Sequence, residues 1–96
     1  MRIATYQERL KRITSVGALL KETHDAQRTV STVRSWVKSQ LPPQLRMLPN
    51  GSRFVPHLHR KIQQAVDVER RLKMDFYKIK HRLNEDNRNA VAGLDL

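Results

Sequence analysis

Apolar positions recur at helical spacing along the first 41 residues, in two separate rows. The first row has intervals of three or four and contains Ile3, Tyr6, Leu10, Ile13, Val16 or Gly17, and Leu20. The second contains Ala26, Val30, Val33, Val37 and Leu41. At about 100° per residue, the second row is rotated by more than a right angle from the first. Both rows predict amphipathic helix, so residues 1–41 are interpreted as an N-terminal helical arm.

The change of face falls at Thr23-His24-Asp25 and has two explanations. Either Asp25 caps a second helix after a kink, or one long helix changes neighbours at this point. The β-branched residues between positions 29 and 33 lower helix propensity locally, which favours a kink or a short break here.

Residues 42–56 interrupt the helical pattern and form a connector. Four prolines and the turn pair Asn50-Gly51 lie in this stretch, and the residue before each proline avoids the helical region. The connector is not a typical solvated linker, because it also contains Leu45, Met47, Leu48, Phe54 and Val55. We expect it to be extended and partly buried against the helices or a partner.

The most regular pattern begins near Pro56 and follows a coiled-coil heptad. Its members alternate at intervals of four and three: Leu58, Ile62, Ala65, Glu69, Leu72, Phe76, Ile79 and Leu83. This seam predicts one long basic helix over residues 57–88, with residues 89–96 as a tail. Glu69 is the one acid in the seam, and we expect it to pair with Arg9, Arg12 or Arg34 of the opposite arm.

These elements predict an all-α, extended helical hairpin. It has one kinked or two N-terminal helices, a proline-rich connector and a long returning helix, and it is not an independent globular domain. A two-helix hairpin leaves the outer face of each helix open. We therefore expect another chain to supply a further packing surface.

Charge adds the first indication of a partner. The 96 residues carry 19 Lys and Arg against nine acids, a net charge of +10. The excess of bases lies in residues 1–83 and not in the C-terminal stretch. Such a chain favours a polyanion, an acidic protein surface or anionic lipid headgroups. No apolar run approaches the roughly 20 residues of a transmembrane helix.

Basic residues of the last helix fall into a stripe well away from the seam. At about 100° per residue, the narrow part of this stripe contains Arg60, Arg71, Lys78 and Arg82, and Arg70 and Lys73 widen it. Arginine suits bidentate contact with phosphate or carboxylate. These six residues are the candidate contacts with RNA or another anionic partner, and no regular aromatic spacing indicates base-specific recognition.

Motifs for catalysis or metal binding are missing from the sequence. The absence of cysteine excludes disulfide and thiolate–metal frameworks. His57 and His59 are two residues apart and point in different directions on a helix, and no glycine-rich phosphate loop is present. We therefore expect neither an enzyme nor a cofactor or metal.

The sequence favours a small, non-catalytic structural subunit of a large ribonucleoprotein. A ribosomal protein, mitochondrial or otherwise cytoplasmic, would contact the rRNA backbone and several neighbouring proteins as an obligate member of a complex. The mitochondrial assignment comes from the first 21 residues, which are basic, poor in acids and amphipathic, as import signals are. The alternative is an accessory helical subunit of a mitochondrial membrane complex, such as a respiratory complex or ATP synthase. The sequence resembles no family that we identify.

Overall fold

The chain forms an extended hairpin of helices. The computed structural model describes the backbone of residues 1–94 and the side chains of residues 1–89. In residues 1–94 the elements are α1 (Tyr6–Arg12), α2 (Val16–Gln40), α3 (Pro43–Arg46), a 3-10 helix (Gly51–Phe54) and α4 (Pro56–Leu94). The molecule measures 68 × 19 × 16 Å with a radius of gyration of 18.0 Å, against roughly 12–13 Å for a compact domain of this length. This confirms the predicted all-α hairpin.

The heptad seam of α4 packs against α2, as predicted. Leu58, Ala65, Leu72 and Ile79 are almost completely buried, and the other apolar seam residues are partly buried. Val68 adds a further buried position beside the seam. The antiparallel packing of α2 against α4 therefore forms the main core.

The end of α4 differs from the prediction. The helix continues to Leu94, so a tail starting at residue 89 is wrong, while Asp95 and Leu96 lie outside the described residues. Neither glycine nor proline interrupts residues 84–89. Glu85 faces His81 at 3.9 Å and Arg88 at 3.5 Å along this turn, and such pairs support helix.

The N-terminal arm is two helices, but they divide at Ile13–Ser15 and not at Asp25. The Ser15 hydroxyl caps α2 by accepting a hydrogen bond from the Ala18 N–H at 3.1 Å. α2 then runs unbroken through the predicted kink. The hydroxyls of Thr23 and Thr29 each donate to the carbonyl four residues earlier, at 2.8 Å, so these side chains are satisfied inside the helix.

The position of this break changes which residue of α2 faces the core. Leu19 is completely buried, whereas Leu20, which the first row had placed on the buried face, is 56% exposed. The predicted row assumed one helical phase from Ile3 to Leu20. The non-helical residues between α1 and α2 shift that phase, so the prediction for Leu20 is wrong.

α1 supplies part of the packing surface that we expected from another chain. Tyr6 and Ile13 belong to one buried cluster with Leu19, Leu72 and Ile79. Ile3, just before α1, packs into a second cluster with residues of α2 and α4, among them Val33. The N-terminal segment therefore covers one flank of the two-helix hairpin along much of its length.

The connector is folded and not extended, which corrects the prediction for residues 42–56. It contains α3 and the 3-10 helix, each closed by local backbone hydrogen bonds. Leu45 and Val55 pack against the core, while Met47 is 86% and Phe54 69% exposed. Proline at the start of α3 fits the first helical turn, where no backbone N–H is needed.

The adjacent residues Leu19 and Leu20 provide a matched test of the helical phase. Leu19→Ala should lower the free energy of unfolding by about 2–5 kcal/mol, the usual range for truncating a buried leucine. Leu20→Ala should change it by less than about 0.5 kcal/mol. Urea titrations followed by circular dichroism, in a buffer with a stabilising osmolyte, measure both. Equal losses would contradict a break at Ile13–Ser15.

Candidate nucleic-acid interface

The six predicted contact residues all lie on the solvent-exposed surface of α4. At about 100° per residue, Arg60, Arg71, Lys78 and Arg82 share one flank of the helix, beside Asp75. Arg70 and Lys73 lie on the opposite flank. α4 therefore presents two basic flanks instead of one widened stripe.

α1 borders the first of these flanks. The guanidinium carbon of Arg71 lies 3.9 Å from the centroid of the Tyr6 ring, in cation–π geometry. Arg82 lines a small concavity together with Leu10 and Ile13. The last turn of α1, which also carries Lys11 and Arg12, therefore lies next to the basic flank of α4. Sequence spacing could not predict this contact, because it does not place α1 beside Arg71.

Tyr6 is fixed to α4 by a second interaction. Its hydroxyl donates a hydrogen bond of 2.6 Å to an Asp75 carboxylate oxygen. Burial, together with this hydrogen bond and the negative charge of Asp75, raises the pKa of Tyr6 to about 12. The neighbouring charges of Arg71 and Arg82 act in the opposite direction on this pKa. Tyr6 thus connects α1 to the flank that carries the candidate anion contacts.

A buried ion pair holds α1 against α2. Arg9 Nη1 lies 2.7 Å from Glu22 Oε2, and the two residues are only 5% and 7% exposed. Arg9 also donates to the hydroxyl of Thr29 at 3.2 Å. Glu22 lies three residues after Leu19 and four before Ala26, next to the buried row. That spacing places Glu22 at the edge of the buried row and is the sequence signal for a buried acid.

Glu69 has a different partner from the one predicted. It pairs with Lys73 on its own helix, at 2.8 Å and four residues away, and not with Arg9, Arg12 or Arg34. Lys73, more than half exposed, reaches it along the helix surface. The acid that pairs with arginines of α1 is Glu22 of α2, since Arg9 and Arg12 both approach it.

Several candidate contacts carry uncompensated charge. Within residues 1–89, Arg60, Arg70, Lys78 and Arg82 form no ion pair, whereas Lys73 is paired with Glu69. Arg60 and Arg82 are 22 positions apart, so the row spans about 33 Å of helix. Exposed, unpaired cations on a rigid helix are available for an external anion without first breaking an internal contact.

The histidines do not converge on a metal site. His59 Nδ1 lies 3.1 Å from the Ser52 hydroxyl, and His81 faces Glu85. No group of three or more His, Cys, Asp or Glu able to hold a metal was found in the part of the chain that the structure describes. The same described residues contain no helix with both the length and the apolar character needed to cross a membrane.

The pKa of Tyr6 provides a direct reading of the contact between α1 and α4. In Tyr77→Phe, Tyr6 is the only tyrosine, and ultraviolet absorbance follows its ionisation. We expect a midpoint of about 12 instead of the ordinary 10.0. Because the folded-state pKa is raised, the associated stability is present below pH 10 and is lost as the pH rises towards 12.

Asp75→Asn is the control for that titration. It should lower the midpoint only in part, because burial is the largest cause of the shift. Circular dichroism on the same samples shows whether the helices persist. If Tyr77→Phe, with Asp75 intact, remains helical but titrates with a midpoint near 10, Tyr6 is not docked on α4.

Comparison with protein-family models, with curated proteins and with solved structures finds no match. The candidate interface therefore rests on the residues and the geometry of this chain.

Proposed function

We propose that this protein is a non-catalytic structural subunit of a ribonucleoprotein and that α4 contacts the phosphate backbone of RNA. The observation that carries the proposal is the row of exposed cations on α4, of which Arg60, Lys78 and Arg82 have no ion-pair partner within residues 1–89. A net charge of +10 on 96 residues supports a polyanionic partner.

Backbone contact is favoured over base recognition by the geometry of the row. The cations lie along a single rigid helix, and the ring and hydroxyl of Tyr6 are occupied by Arg71 and Asp75. Tyr77 is exposed on α4, but it is a single ring and not a row on which successive bases could stack. Contacts with phosphates position a protein on a nucleic acid without reading its sequence. We therefore expect affinity that depends on salt and very little on RNA sequence.

The assembly we propose is a ribosome, and in particular a mitochondrial one. An elongated 68 Å molecule with two exposed basic flanks suits a position between rRNA and neighbouring proteins. The basic, acid-poor N-terminus supports the mitochondrial assignment. In this proposal, RNA phosphates and several protein neighbours are the partners.

A second candidate function is favoured by exposed apolar side chains. Met74 and Tyr77 on α4 are 76% and 78% exposed, and Leu20 on α2 is more than half exposed. Such residues suit a protein neighbour. They favour the alternative in which the chain is an accessory subunit of a mitochondrial membrane complex, with its cations facing acidic protein or lipid headgroups.

Salt dependence of RNA binding tests the first proposal. With four phosphate contacts, the logarithm of affinity should fall against the logarithm of salt concentration with a slope of about −3. Arg60→Gln should reduce the magnitude of this slope by just under one unit, with similar losses on two unrelated RNA sequences. Fluorescence anisotropy at several salt concentrations measures the slope.

Arg28→Gln is the matched control, because Arg28 is exposed on the side of α2 that faces away from α4. It removes the same charge and should leave the slope nearly unchanged. Equal effects of the two variants would contradict α4 as the interface. Purification of the tagged native protein distinguishes the two candidate functions. The first proposal predicts that rRNA copurifies with the protein. Copurification of a membrane complex that is lost in Arg60→Gln would support the second candidate function.

A further inference from the structure

The flank of the hairpin opposite α1 carries a concavity that the proposed RNA contact does not use. At about 100° per residue, Glu22 and Thr29 lie on one side of the buried row of α2, and Arg34 and Lys38 lie on the other. On that second side, the C-terminal half of α2, the connector and the start of α4 border an open concavity of about 510 Å³. Its size falls within the roughly 300–1,000 Å³ of small-molecule sites.

Positive charge dominates the wall of this concavity. Arg34, Lys38, Arg46 and Arg53 line it, and neither Asp nor Glu is among the lining residues. Within residues 1–89, the side chains of Arg34, Lys38 and Arg53 make no hydrogen bond or ion pair. Four cations that face one space without an acid favour an anionic occupant.

The connector forms a fixed wall of the site. Arg46 donates from Nε to the carbonyl of Leu41 at 2.9 Å and from Nη2 to that of Ser39 at 3.0 Å, so it closes the C-terminal end of α2. Gly51 is buried, and a Cβ at this position would clash with the Leu45 carbonyl oxygen. Only glycine fits there without moving the connector, so the wall has a specific packing.

Apolar side chains also line the concavity. Ile62 is partly buried, and Met47 and Leu48 are 86% and 48% exposed, so they offer apolar surface to a ligand. Apolar atoms beside the cations provide a surface that a bare inorganic ion would not use. The preferred ligand therefore combines an anionic head with an apolar body.

We propose that this concavity binds a phosphate monoester that carries a short apolar body. A phosphate monoester has close to two negative charges and three acceptor oxygens at neutral pH. Arg34 and Arg53 supply planar guanidinium donors, and Lys38 supplies an ammonium group. The site lies across the hairpin from the α1 flank and goes beyond the proposed function.

Hexyl phosphate is the probe, and isothermal titration calorimetry on the full chain measures its binding. Inorganic phosphate should bind at least about tenfold more weakly, because it lacks the hexyl chain that contacts the apolar side chains of the site. Hexyltrimethylammonium, with the same chain and the opposite charge, should not bind. Equal affinity for hexyl phosphate and inorganic phosphate would overturn the proposal.

Arg34→Gln and Arg28→Gln form the matched pair of variants on α2. Arg34→Gln should weaken hexyl phosphate binding about tenfold or more, as expected for a lost hydrogen bond to a charged group. Arg28→Gln removes the same charge from the far side of α2 and should change the affinity less than about twofold. If both variants lose affinity for hexyl phosphate equally, the binding reflects general charge attraction, and the proposed site is wrong.

Gly51→Ala alters the wall without altering the charge. It should abolish hexyl phosphate binding while leaving the salt slope of RNA binding unchanged, so failure of this site is distinguishable from failure of the proposed function. Unchanged ligand binding in Gly51→Ala would contradict the role of the connector.

Vesicles distinguish a lipid from a soluble source of the ligand. Flotation with phosphatidic acid vesicles that is lost in Arg34→Gln but kept in Arg28→Gln assigns the site to a lipid headgroup. Binding of hexyl phosphate without flotation assigns it to a soluble phosphate ester. The absence of both would overturn the proposal.

Discussion

Arg9 reaches Glu22 across the short break between α1 and α2, and the two charges meet at 2.7 Å with almost no access to water. A buried charge without its partner destabilises a protein by about 3–5 kcal/mol. α1 both buries Glu22 and supplies its partner, so α1 can pack against α2 only with Arg9 and Glu22 paired. With α1 held in this way, Tyr6 lies against α4, where it contacts Asp75 and Arg71.

This constraint gives the hairpin two unlike flanks. On one, α1 covers the junction of α2 and α4 and leaves a row of cations along its border. On the other, the junction remains open, and the folded connector turns its end into a basic concavity that apolar side chains also line. An extended surface along a helix suits a polymer of phosphates, whereas a concave one suits a single small anion. The two proposals therefore concern different ligands and use different residues.

The sequence predicted the helical class, the hairpin and the seam of α4, because a heptad sustained from Leu58 to Leu83 marks one face of a single long helix for burial against another helix. The predicted position of the helix break was wrong, because local residue preferences were taken to outweigh packing. Thr23 and Thr29 suggested a break, but their hydroxyls bond within α2. Ser15, an ordinary capping residue, marked the real start of α2. The six surface cations were identified by spacing alone, whereas the pocket required contacts between residues of α2, the connector and α4, which no periodicity contains.

A mutant cycle on the buried pair tests the central claim most directly. Glu22→Ala should lower the free energy of unfolding by about 3–5 kcal/mol, whereas Glu69→Ala, which removes a surface pair, should lower it by no more than about 1 kcal/mol. The combined change Arg9→Met and Glu22→Leu should recover most of the first loss, because no unpaired charge remains buried. A loss in Glu22→Ala no larger than that in Glu69→Ala would contradict the account.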